Sequence, residues 1–310
     1  MRSFLKKAAA GLVLLILAGT AVPFLFPENL FDFLMRKERE SAGFAVKEVT
    51  IDGQRIVYLE NAAGKETLVL LHGLGADKDN WLSMMKNLRQ YHAVIPDIPG
   101  FGDSGKSADM KYDAASQAER IARFVEKLGL RDFYLAGNSM GGNIAGLYAA
   151  AHPEKVKGLI LVASGGIAFP VKSDFARALE KGEKPLLIGN TGEYRKMMAF
   201  VFHKTPQIPG FIERALVKKA VRNRPYNEKA AKDLFGNPAL LEGHFGRLTM
   251  PTLILWGDRD RMIDVANVPV FEKGIKNHTT RILKDCGHVP MVERPEETAL
   301  YIDEFIRSVK

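Results

Sequence analysis

Short apolar runs alternate with longer amphipathic stretches through most of the chain. Residues 68–71, 132–136, 159–163 and 251–256 are largely apolar, 280–284 centres on Ile282 and Leu283, and each is four to six residues long, the reading of a strand rather than a helix. Residues 114–128, 143–151, about 265–275 and 296–309 instead carry their apolar positions at helical spacing. Strands alternating with helices predict an α/β fold, a mostly parallel sheet covered on both faces. The alternation stops between residues 166 and 248, where no convincing strand occurs, and a helical cap inserted into the core is expected there. The expected organisation is therefore a core of residues 37–165 and 249–310, a cap of 166–248, and an N-terminal segment of 1–36.

Between the second apolar run and its helix lies Gly137-Asn138-Ser139-Met140-Gly141-Gly142. Gly-x-Ser-x-Gly at a strand-to-helix junction is a nucleophile elbow, a turn so tight that small residues must flank the serine. The turn presents the Ser139 hydroxyl at the carboxyl end of the sheet, under the positive end of the following helix. The bland alternative is a glycine-rich turn with a solvated serine, and partners elsewhere in the chain decide between the two.

A serine hydroxyl needs a base to take its proton and a third group to orient that base. In this arrangement the chain order is serine, acid, histidine. His288, in Asp285-Cys286-Gly287-His288-Val289-Pro290, follows the last apolar run and so falls on a loop at a strand's carboxyl end. His278 precedes that run and belongs at the opposite edge. Asp258, Asp260 and Asp264 compete as the acid after strand 251–256. Asp260 is favoured because it stands 28 residues before His288, room for one crossover helix and one strand. Asp258 then reads as a turn former. The run at 68–71 leads into His72-Gly73-Leu74-Gly75, a glycine-punctuated loop through which a backbone N–H can approach a reacting carbonyl. The amides of Leu74 and Met140 are the expected oxyanion donors, worth roughly 3–4 kcal/mol each. His72 precedes the serine and reads as a structural hydrogen-bonder.

These motifs resemble those of the α/β-hydrolases, particularly the bacterial family V lipases and the membrane-anchored monoacylglycerol lipase-like esterases. The resemblance rests on His72-Gly73, Asp77-Lys78-Asp79-Asn80-Trp81, and Pro96-Asp97-Ile98-Pro99-Gly100-Phe101-Gly102-Asp103-Ser104. It continues through the elbow, Trp256-Gly257 up to Asp260, and Gly287-His288-Val289-Pro290-Met291-Val292-Glu293-Arg294-Pro295. It implies an α/β-hydrolase fold and a serine ester hydrolase with Ser139 as nucleophile, Asp260 as acid, His288 as base, and Leu74 and Met140 as oxyanion donors. It implies no cofactor and no metal. Ring-cleavage C–C hydrolases share such an elbow and are the alternative enzyme class; a non-enzymatic homologue is the alternative outside enzymes.

Composition narrows the rest. A chain of 310 residues, 46% hydrophobic, can bury one substantial core. The lone Cys286 excludes an intrachain disulfide. Residues 8–26 run for 19 positions without a charge behind Arg2, Lys6 and Lys7, the pattern of a signal peptide or an uncleaved signal anchor. The bases before it, with Glu28 and Asp32 after it, place the catalytic part outside the cytosol. The net charge is +8, and the expected cap holds 15 Lys and Arg against 8 Asp and Glu. No recognition motif supports a nucleic-acid partner. A cap drawn to anionic lipid is better motivated, through Lys218, Lys219, Arg222 and Arg224. Phe169, Phe175, Met197, Met198, Phe200, Phe202 and Phe211 are candidates for an acyl pocket.

Overall fold

The structure, a computed structural model, describes residues 26–236 and 238–309. The proposed span at 8–26 therefore lies outside the described residues but for Phe26, and no described helix is long and apolar enough to cross a membrane. Eight strands form one sheet: β1 (Ala45–Ile51), β2 (Gln54–Glu60), β3 (Thr67–Leu71), β4 (His92–Pro96), β5 (Phe133–Asn138), β6 (Val156–Val162), β7 (Thr252–Gly257) and β8 (His278–Leu283). Their spatial order is β1-β2-β4-β3-β5-β6-β7-β8. β1 and β2 pair antiparallel, as do β2 and β4, and from β4 to β8 every pairing is parallel. The longer helices are α1 (Pro27–Ser41), α2 (Ala114–Lys127), α3 (Met140–Ala151), α4 (Asp174–Glu180), α5 (Thr191–Val201), α6 (Gly210–Gly236), α7 (Val268–Gly274) and α8 (Pro295–Ser308), beside the four-residue helices Leu82–Met85 and Pro290–Glu293.

The central strands read as unbroken apolar runs because both faces of the sheet are covered. In β3, Val69 and Leu71 join the core with Ile121, Phe124 and Trp256, whereas Leu68 and Leu70 join that of Trp81, Ile302 and Phe305. Successive side chains thus feed two different cores, as the period of two requires. The edge strand β8 departs from this pattern: Ile282 is 42% exposed and only Leu283 is buried. Polar caps fix where helices begin. Asp113 accepts from the Ser116 N–H to start α2, and Asn190 accepts from the Glu193 N–H to start α5.

Between β6 and β7 the described residues hold α4, α5, α6 and a 3-10 turn, Leu241–Arg247, with no strand. Ile188, Tyr194 and Met198 make a small core of their own there, with Met197, Phe202, Ile208 and Leu216 around it. At the N-terminus, the sequence boundary drawn at residue 36 falls inside the continuous helix α1. This helix starts with Pro27 at its first turn, where a missing N–H costs nothing. It is held laterally, with Arg222 of α6 bonded to Glu28 at 3.1 Å and Arg39 forked onto Asp79 at 2.8 and 2.6 Å.

Candidate active site

The register of the sheet aligns the ends of its strands. Leu71 pairs with Gly137, Asn138 with Val162, Val162 with Leu255, and Gly257 with Leu283. The loops leaving β3, β5, β7 and β8 therefore emerge along one edge, bringing His72, Ser139, Asp260 and His288 to the same side of the molecule.

Ser139 sits at φ 57°, ψ −117°, caught between β5 and α3. A non-glycine residue in this region carries strain of order 1–3 kcal/mol, which only a well-determined surround sustains. That surround is visible in its neighbours. A Cβ on Gly137 would lie 2.1 Å from the Gly141 carbonyl oxygen, and one on Gly141 would lie 2.4 Å from the oxygen of Leu71. The Ser139 N–H donates to Val162 at 3.0 Å, and its carbonyl accepts from Gly142, Asn143 and Gly165. Backbone bonds thus hold the residue, leaving its side chain free of a packing role.

His288 is 4% exposed, and its Nδ1 lies 2.8 Å from Asp260 Oδ2. The other Asp260 oxygen accepts the N–H groups of Met262 and Ile263 at 2.8 and 2.9 Å, which fix the carboxylate's angle. Asp258 instead accepts from the Cys286 N–H at 3.4 Å, and Asp264 caps the turn after β7 through the Ala266 N–H. Of the three competing aspartates, Asp260 is the one bonded to the imidazole. His278 opens β8 at the far end of the sheet, its Nδ1 2.6 Å from the Ile275 carbonyl. Burial pushes the Cys286 thiol up to about 12, so it stays protonated and inert.

The loop after β3 reaches the same place. A Cβ on Gly73 would fall 3.3 Å from Ser139 Cβ, so Leu74 follows directly beside the elbow. Met140 is the first residue of α3, where no preceding helical carbonyl can take its N–H. His72 is fully buried, with Nε2 accepting the Ile98 N–H at 3.0 Å and Nδ1 accordingly donating to the Gly73 carbonyl at 2.8 Å. Burial lowers its pKa, which keeps the ring neutral. It is a brace for the loop.

Several residues at the site had no assigned role in the sequence. Asn138, 2% exposed, donates from Nδ2 to the carbonyls of Val162 and His288, each at 3.1 Å, tying the elbow to the histidine loop. Asp77-Lys78-Asp79 bonds three different elements in three consecutive residues. Asp77 pairs with Lys219 of α6 at 2.7 Å, and Asp79 with Arg39 of α1. Lys78, whose side chain is 0% exposed, pairs with Asp97 at 2.8 Å and Asp103 at 2.6 Å. Burial opposes the Lys78 charge, but Asp97 and its acidic neighbours outweigh it and raise the pKa. Lys219 is therefore an internal tie and not the lipid-facing cation expected of it. Lys218 and Arg222 are exposed but lean on Glu28, and Arg224 lies 3.8 Å from Glu193.

The aromatic candidates divide as well. Phe175 is buried edge-on to Phe200, and Met198 belongs to the small core over α5. A cleft of about 350 Å³ opens beside Asp260, lined by Asp174, Phe202, His203, Arg259, Arg261 and Asp264 among others. Its walls are mostly polar, and of the seven candidates only Phe202 reaches it. Among the described residues no group of His, Cys, Asp and Glu is arranged to hold a metal ion.

The chain is similar to Lipase 1 of Psychrobacter immobilis, 34% identical over 286 residues that cover 90% of each protein. It is 30% identical to monoacylglycerol lipase abhd6-B of Xenopus laevis, over 97% of this chain and 94% of that one. Among solved structures it resembles a membrane phospholipase A described as a novel bacterial virulence factor, with TM-score 0.89 and 42% identity, covering 98% of this chain and 99% of that one. The alpha/beta hydrolase fold family matches residues 66–295, from the start of β3 to the start of α8, and this chain belongs to that family.

Proposed function

We propose that the chain is a membrane-associated carboxylic ester hydrolase that cleaves acyl esters of lipids through Ser139, His288 and Asp260. The observation that carries the reading is the 2.8 Å contact of His288 Nδ1 with Asp260, on the sheet edge where the strained Ser139 stands. With Nδ1 committed to the acid, Nε2 is the nitrogen left to take the serine proton. Ser139 Oγ attacks the ester carbonyl carbon as its proton passes to His288 Nε2. The oxyanion so formed is held by the N–H groups of Leu74 and Met140. Collapse breaks the bond to the alkoxide, which takes the proton from Nε2 and leaves as the alcohol. Water then repeats the sequence on the acyl-serine and releases the fatty acid. Asp260 orients the ring and stabilises the imidazolium throughout.

A lipase, a monoacylglycerol lipase and a phospholipase A are all named for cleaving acyl esters of lipids, and that shared chemistry supports a lipid ester here. Residues 8–26 serve as the tether and put the domain outside the cytosol. Residues 166–248 form the cap over Ser139 and set which acyl chain enters. The test is a fluorophosphonate probe followed by a panel of p-nitrophenyl esters and mono-, di- and triacylglycerols. Labelling of the wild-type chain that is absent in Ser139→Ala, with turnover of the acylglycerols, is the expected result. A wild-type chain that neither labels nor turns over would overturn the reading in favour of a non-enzymatic homologue.

A further inference from the structure

Glu293 closes the short helix Pro290–Glu293 just after His288, and its half-buried carboxylate collects three backbone N–H groups. One oxygen accepts from Gly287 at 2.7 Å and from His203 at 3.2 Å; the other accepts from Lys204 at 2.7 Å. Gly287 belongs to the histidine loop, whereas His203 and Lys204 belong to the chain leaving α5. The two segments touch a second time, because the His288 N–H itself donates to the Val201 carbonyl at 2.8 Å. They run so close that a Cβ on Gly287 would lie 2.6 Å from Val201 O and 2.7 Å from His203 N. The backbone of the histidine is therefore bonded to the segment 201–204, and one carboxylate fastens both strands of that contact.

We infer that Glu293 is a positioning residue for the base, locking the His288 loop to the exit of α5 so that both move as one body. The inference rests on the proposed hydrolase reading. A carboxylate accepting three N–H groups makes charge-assisted bonds, stronger and shorter than neutral ones. The lock lies five residues beyond His288 along the chain, and Asp260, before it, fixes the tilt of the ring. Asp260 sets the angle and tautomer; Glu293 sets where the loop stands. A group acting this way touches neither substrate nor reacting atoms, so its loss slows proton transfer without removing any contact to the ester.

The test compares wild type, Glu293→Gln and Glu293→Ala on p-nitrophenyl butyrate, an ester too small to depend on an acyl pocket, alongside fluorophosphonate labelling. Misplacing a base by about 1 Å costs on the order of 100-fold, the expected fall in kcat for Glu293→Ala. Glu293→Gln keeps one acceptor oxygen and is expected to lose about 10-fold. KM should stay within about threefold for both. Labelling should slow by the same factors yet still reach completion, which a merely structural role would not produce. Variants that label and turn over within about twofold of wild type would overturn the inference. So would a fall in the labelled fraction at unchanged rate, since that marks unfolding. Should Glu293→Ala not fold, the near-isosteric Glu293→Gln carries the comparison alone. Wild-type turnover reads the hydrolase proposal separately: matched variants beside an active wild type contradict only the role of Glu293.

Discussion

Asp258 and Asp260 stand two residues apart on one loop, yet only Asp260 meets an imidazole; Asp258 turns back to the Cys286 N–H. Asp260→Asn is therefore expected to lower kcat by roughly 10⁴-fold, because the amide favours the wrong tautomer. Asp258→Asn should change it little, and a reversed ranking in steady-state kinetics would move the acid to Asp258. Lys78 offers a stability test at the same scale. Removing one member of a buried ion pair strands the other, so Lys78→Met should cost about 3–5 kcal/mol in urea unfolding. Truncating the exposed Arg55, 3.1 Å from the exposed Glu48, should cost less than about 1 kcal/mol. The Asp260 and His288 pairing was legible in the sequence because spacing and strand order constrain it. Asn138 and Glu293 were not, although both lay in quoted motifs. The partners that matter most are backbone groups 150 and about 90 positions away, brought near only by the sheet's register and the path of the chain after α5.

Four buried strands, β3, β5, β6 and β7, were equally legible, since apolar runs without helical period leave little alternative when both faces are covered, whereas β2 and β4, also buried, do not stand out as such runs. The edge strand β8 was harder to bound, for its exposed face mixes Thr, Arg and Ile. Helix α1 is not legible in the sequence, whose expected boundary at residue 36 cuts through it. Its only buried residue is Pro27, and what holds it is pairing to α6 and to Asp79, invisible without the fold. The contact of α6 with the loop after β3 is likewise electrostatic, through Lys219 and Asp77. Burial opposes the Asp77 charge, but Lys219 and Lys78 outweigh it and hold its pKa below the usual range. Asp77 raises the Lys219 pKa in turn, against the effect of burial. The lowered carboxylate contributes stability above its ordinary pKa of about 4, lost as pH falls through the folded value; the raised amine contributes below about 10.4, lost as pH rises through its folded value. Between those limits the tie is fully formed. Limited proteolysis within α6 should thus proceed alike at pH 5, 7 and 9 in the wild-type chain, and faster at all three in Lys219→Met. Wild-type cleavage that rises between pH 5 and 9 would show that other groups hold α6 down.

A tethered hydrolase meets substrate already dissolved in the bilayer, so location and acyl preference belong together at the scale of the molecule. The full chain should sediment with membranes, and a chain beginning at Pro27, which keeps α1 whole, should be soluble and active. N-terminal sequencing that finds mature protein beginning at Val22 would instead mark a cleaved signal peptide. Each methylene buried contributes at most about 0.8 kcal/mol, so kcat/KM should rise by up to about fourfold per carbon from short to medium chains and then level off. A flat profile from two carbons upward would favour a small ester or a C–C bond as the substrate. All of this depends on one serine doing the chemistry. The direct measurement is mass spectrometry of the fluorophosphonate-treated wild-type chain, with hydrolysis of a medium-chain monoacylglycerol followed in the same samples. The account predicts a single adduct on Ser139, with activity falling in step as that adduct forms. An adduct on another residue, or hydrolysis that persists once Ser139 is fully modified, would contradict it.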